Sequence, residues 1–231
     1  MDKSVLFIIS FLGGLIPALF WVWFWLREDK THPEPKSLVA ASFLTGMAIV
    51  ALVLPLQKFA LDRFTGDSLI LVWVIIEEVI KYTAALTVVL WNKAVDEPID
   101  PLIYMITLAL GFSALENALF IYTPLQNGNW SETILTSNFR FLGATLLHVL
   151  SSGTVGAAMA LAFYRGKVFR IVMATLGLCL AILLHALFNS FIIDSANGET
   201  ILTVFLFVWI GIIALFLIFE KAKLLEQKHN Y

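Results

Sequence analysis

The sequence predicts an all-α fold: a polytopic membrane bundle of about seven transmembrane helices, with a polar site between the third and the sixth. Three observations predict it. Of 231 residues, 60% are hydrophobic and 14% charged, and the mean hydropathy is +0.88, far from the composition of a soluble domain. Apolar windows of about 20 residues, the length that crosses a bilayer core, recur along the whole chain. Ionisable residues inside several of these windows also fall at one depth. A charge near the bilayer centre costs about 2.5–3.5 kcal/mol, so such residues mark a working site by default.

The windows lie at 4–26, 38–60, 68–91, 101–122, 139–164, 168–193 and 200–220, and they make one integral membrane domain over residues 1–231. The first is too long for a signal-peptide core. It ends in Trp21-Val22-Trp23-Phe24-Trp25 with no small-residue cleavage site after it, so it is expected to be retained. After it comes a short turn, Thr31-His32-Pro33-Glu34-Pro35, the one Pro-rich segment. No soluble domain, low-complexity linker or clear internal repeat separates the spans. The lone cysteine, Cys179, rules out an intramolecular disulfide and is expected to be a small buried apolar residue. A net charge of -2, with no basic patch interleaved with aromatics, speaks against nucleic-acid binding.

Loop charges predict the orientation. Arg27, Lys30, Lys36, Lys93, Arg165, Lys167, Arg170, Lys221, Lys223 and Lys228 collect on one side, against Lys3, Lys58 and Arg63 on the other. The positive-inside rule therefore places the C-terminus in the cytoplasm and the N-terminus outside, in a multi-pass protein of the cell membrane. The loops at 123–138 and 194–199, which lack basic residues, are expected outside. At 1.5 Å per residue, Glu77, Glu116, His148 and His185 then sit about 9–14 Å below the outer surface.

In the third span, Lys81 follows Glu77 by four residues and Glu78 by three, so it can reach either carboxylate on a helix. Two neighbouring carboxylates in a low dielectric do not readily both ionise, and a shared proton is what general acid/base chemistry uses. The competing reading is a structural ion pair. The fourth span carries Gly111-Phe112-Ser113-Ala114-Leu115-Glu116-Asn117. Here Glu116 is a second acid, a metal ligand or a water-orienting group, Asn117 its adjacent amide, and Gly111 a place for another helix to approach. In the fifth span Arg140, Ala144, His148, Ser152 and Gly156 recur every four residues, and in the sixth His185 and Asn189 do. Four charges facing lipid separately would cost roughly 10–14 kcal/mol, comparable with the whole stability of a domain at about 5–15 kcal/mol. They must pair or line one pocket.

The chemistry open to this set is activation of water. A glutamate takes its proton, a histidine or a metal positions it, and Asn189 with a second histidine stabilises an oxyanion, with Arg140 as a fixed charge at the mouth. Imidazoles and carboxylates are sound zinc ligands, so a divalent metal on His148, His185 and Glu116 is one candidate. Neither H-E-x-x-H nor G-x-S-x-G occurs. A Ser152 nucleophile with either histidine would leave three glutamates unexplained.

In order and spacing, Glu77-Glu78-x-x-Lys81, Gly111-Phe112-x-x-x-Glu116-Asn117, His148-x-x-x-Ser152-x-x-x-Gly156 and His185-x-x-x-Asn189 resemble the motifs of the PrsW intramembrane proteases. These belong to the larger superfamily of CAAX prenyl proteases and bacteriocin-processing enzymes. The segment Arg27-Glu28-Asp29-Lys30-Thr31-His32-Pro33-Glu34-Pro35 resembles the acidic, Pro-containing stretch after that family's first span. The resemblance implies a membrane-embedded peptidase making the first, external cut in a single-span protein, an anti-sigma factor in the family's known role. It implies Glu77 and Glu78 as water activators, Glu116 and His148 as partners or ligands, and His185 with Asn189 as water or oxyanion contacts. Glutamate at 116, where CAAX-processing relatives typically carry histidine, argues against prenylated substrates. The motifs leave a zinc-bound and a metal-free water both open. Two other classes fit the same residues: a proton- or cation-coupled transporter, against which stand the missing inverted repeats, and a scaffold whose polar set only holds helices together.

Overall fold

A computed structural model describes residues 2–28, 33–193 and 198–229. Among them the fold is helical throughout: α1 (Lys3–Glu28), α2 (Lys36–Leu61), α3 (Gly66–Ala85) running into a π-helical turn at Leu86–Leu90, α4 (Asp100–Gln126), α5 (Trp130–Phe139), a π-helical segment at Arg140–Ala144, α6 (Thr145–Leu161), α7 (Lys167–Ile193) and α8 (Gly198–His229). α5, the π segment and α6 form one continuous element of 32 residues. Six elements are long and apolar enough to cross a membrane. The seventh, α3, carries Asp67, Glu77, Glu78 and Lys81 and is the charged one.

Burial sorts the elements. In α4 and α5–α6, 83% and 72% of the most apolar window is buried, against 28–33% in α1, α2, α7 and α8. α4 and α6 are therefore the central pair and the others wrap them, their outer faces left apolar for lipid. Cys179 lies on such a face of α7 and is exposed, which corrects the expectation of a buried thiol.

Glycines bring α1 and α2 onto α4. A Cβ at Gly46 would lie 1.9 Å from the Leu108 carbonyl oxygen, one at Gly111 1.9 Å from that of Phe43, and one at Gly14 2.2 Å from that of Ala114. Only residues without side chains permit this backbone contact, the usual device where lipid tails supply no hydrophobic drive. Trp25 of α1 stacks on Phe216 of α8 at 4.5 Å, closing the bundle.

The span expected to begin at 139 begins at Trp130, so much of the predicted loop 123–138 is helix. Local chemistry explains this: Gly128 turns the chain with φ +73°, and Asn129 caps the new helix. The Asn129 side chain accepts from the Glu132 N–H at 3.1 Å and donates to the Glu132 carboxylate at 2.8 Å, a reciprocal cap that starts α5 well before the expected position. The last helix likewise extends beyond the expected 200–220. The expected loop at 194–199 and the turn at 31–35 lie partly outside the described residues. Glu34, from that turn, accepts from Tyr104 of α4, while the Asp100 carboxylate accepts the backbone N–H groups of Asp96 and Glu97 at 2.9 and 2.8 Å.

Candidate active site

α3 turns Glu77, Glu78 and Lys81 inward, and all three are buried. Lys81 Nζ donates to Glu78 Oε1 at 2.9 Å, to Glu77 Oε2 at 3.4 Å and to His148 Nδ1 of α6 at 3.0 Å. Its remaining side faces the Phe112 ring of α4, 4.2 Å from the centroid. An ammonium has three donors and no acceptor. His148 Nδ1 must therefore accept, which assigns the ring proton to Nε2. From Nε2, His148 donates to Glu116 Oε2 at 3.0 Å.

Glu78 is the most heavily used acceptor. Its Oε1 also takes His185 Nδ1 of α7 at 2.8 Å and Ser151 Oγ at 3.3 Å, and its Oε2 takes Ser152 Oγ at 3.4 Å. By the same reasoning His185 donates from Nδ1 and keeps a lone pair on Nε2, which lies 3.9 Å from Glu77 Oε2. The other oxygen of Glu77 is held by the amide of Gln57 on α2 at 2.8 Å. Gln57 is fixed in turn by the Trp73 indole N–H, which donates to its carbonyl at 2.9 Å. The two imidazoles meet edge to face, 5.1 Å between centroids.

Arg140 caps the other end of this polar chain. It donates to Glu116 Oε2 and to the Asn117 amide oxygen, and its guanidinium lies over the Phe120 ring at 3.9 Å. Asn117 passes its own amide protons to Thr145 at 2.9 Å and Ser113 at 3.1 Å. The Glu116 and Arg140 side chains are 17% and 15% exposed, against 6% or less for Glu77, Glu78, Lys81 and His185, so the chain opens at this end. Arg140 starts the π segment, a feature frequent at functional sites because its extra residue re-aims side chains.

Of the residues singled out by spacing, Glu77, Glu78, Lys81, Glu116, Asn117, Arg140, His148, Ser152 and His185 all join this one network. Asn189 sits half-buried one turn beyond His185 on α7, outside the contacts above. Gln57, Trp73 and Ser151 belong to the network and were not singled out. Gln57 is visible in the sequence as an amide inside an apolar span, but its level means nothing until α2 is known to pack on α3.

Glu77, Glu78, His148 and His185 can each offer a ligand atom, and those atoms lie within 4.8 Å of one another, all buried. Two carboxylates and two imidazoles are a donor set that suits zinc, so the residues fit a divalent metal. Glu116, expected among the ligands, lies outside this group; its Oε2 is shared by Arg140 and His148.

A family model described as "PrsW family intramembrane metalloprotease" matches residues 34–217, which include every residue of the network. The chain is similar to the Protease PrsW of Oceanobacillus iheyensis, at 27% identity over 208 residues, 88% of this chain and 92% of the relative. It is also similar to the Protease PrsW of Halalkalibacterium halodurans, at 25% over 225 residues, 93% and 96% of the two chains, and to that of Bacillus subtilis, at 23% over 202 residues, 85% and 89%. No solved structure matches it. A match over most of the chain, on a helical membrane bundle with a buried Glu/His group, means that this protein belongs to the PrsW family of intramembrane metalloproteases.

Proposed function

We propose that the protein hydrolyses a peptide bond of a single-span membrane protein near the external face, an anti-sigma-factor-like substrate cut in its first processing step. The observation that carries this reading is the buried group of Glu77, Glu78, His148 and His185, drawn from three helices to within 4.8 Å. The external position rests on the loop charges and on the network opening at Arg140.

Water is the co-substrate, and Glu77 Oε2 with His185 Nε2, 3.9 Å apart, are two acceptors positioned to orient it. A water donating to both turns its lone pairs outward, towards the carbonyl carbon of a peptide. Glu77 takes the proton as the new C–O bond forms and passes it to the leaving amine as the C–N bond breaks. Glu78 fixes the His185 tautomer through Nδ1, and Asn189, one turn along α7, donates to the oxyanion. Arg140 supplies positive charge at the mouth. Should a metal be held, Glu77, Glu78, His148 and His185 are its ligands, zinc suits the donor set, and it would supply Lewis-acid activation of water.

The test is cleavage of a candidate single-span substrate followed by gel and mass spectrometry. A general base of this kind contributes about 10²–10⁴-fold, so Glu77→Gln and His185→Ala should each abolish detectable product while the protein still inserts and purifies. Retained cleavage in both variants would sink the reading.

A further inference from the structure

Three of the four candidate metal ligands already hold a cation. The Lys81 ammonium is bonded to Glu78 at 2.9 Å, His148 at 3.0 Å and Glu77 at 3.4 Å. The Phe112 ring closes its fourth side at 4.2 Å. All three of its N–H donors are used, it is fully buried, and its flexible four-carbon stem from α3 could carry the ammonium out of the group as well as into it. We propose that Lys81 is the resident cation of this site and that a divalent metal enters the group only by displacing the ammonium from it.

The inference rests on the reading that this group is the active site, and it adds what controls metal occupancy there. His148 makes the competition specific. Its Nδ1 lone pair is committed to Lys81 and its Nε2 proton to Glu116, so it has no lone pair for a metal while Lys81 stays. His185 differs, because its Nε2 is free of both. While the ammonium is seated, the His185 Nε2 lone pair is open to a metal and His148 offers none, so Glu77, Glu78, His148 and His185 would serve together as ligands only with the lysine displaced. Two cations competing for the same acceptors in a buried setting repel strongly, so the full ligand set and the seated ammonium exclude each other.

The experiment measures zinc rather than cleavage, so its outcome is separable from the hydrolytic reading. Full-length protein in detergent is stripped with chelator, titrated with zinc chloride, and followed by calorimetry and by metal content after desalting. Wild type should bind zinc weakly. Lys81→Met, which removes the charge and keeps the length, should bind at least tenfold more tightly, and Lys81→Arg should stay close to wild type. If Lys81→Met does not purify, Lys81→Gln makes the same comparison while keeping a donor for Glu78. The proposal is overturned if the neutral variants bind zinc no more tightly than wild type, or if wild type retains one zinc per chain through chelation that the neutral variants lose.

Discussion

Glu78 decides how the site is wired. It accepts from Lys81, His185, Ser151 and Ser152 at once, from groups on three helices. Breaking a buried charge pair on one side costs about 3–5 kcal/mol, because the partner is left uncompensated. Glu78→Gln should therefore lower stability by about that amount in equilibrium unfolding of the purified protein, and cleavage should fall with it because His185 loses its tautomer lock. Asn189 sits outside the network and should behave in the opposite way. Asn189→Ala is expected to change stability by no more than about 0.5 kcal/mol. The same change should reduce cleavage by about 10²–10³-fold, the effect of removing an oxyanion donor. Equal losses of stability in the two variants would refute this division of roles.

At the level of the helices, backbone contact on α4 sets the register that brings α2 and α3 to the site. Gly111 lies against the Phe43 carbonyl, beside the Phe112 that covers Lys81 and that precedes Glu116 by one turn. Gly111→Ala places its methyl 1.9 Å from that oxygen, so α2 must retreat. Overpacking of this kind costs about 1–3 kcal/mol, to be read as a lower unfolding midpoint. Cleavage should fall as well, since Gln57 travels with α2 and holds Glu77. The sequence made the spans legible because lipid selects for apolar length, and it made the four motifs legible because ionisable residues stand out against that background. It did not reveal Gln57, whose role depends on how α2 pairs with α3. Nor did it reveal the early start of α5, where the Asn129–Glu132 cap outweighed a weak hydropathy signal. The π segment at Arg140–Ala144 was likewise invisible to a search at regular four-residue steps.

For the molecule as a whole, function depends on which end of the network faces out. The bundle places Arg140 and Glu116 at the exposed end of the polar chain, and the basic residues lie at the opposite helix ends: Lys93 after α3, Arg165 between α6 and α7, and Lys167 at the start of α7. If the positive-inside rule holds, substrate reaches the site from the external side, and the turn at Asn127 between α4 and α5 is external with it. Asn127 and Gly166 are both exposed, and an added Cβ at Gly166 meets no atom within 4 Å, so single cysteines at the two positions are tolerable probes once Cys179 is replaced by alanine. In intact cells, a membrane-impermeant maleimide should label Asn127→Cys. It should label Gly166→Cys only after permeabilisation. The reverse pattern would turn the mouth towards the cytoplasm. The buried Glu/His group would stand unchanged, but the external cut would be lost, because a peptide entering past Arg140 would then come from the cytoplasmic side of the membrane.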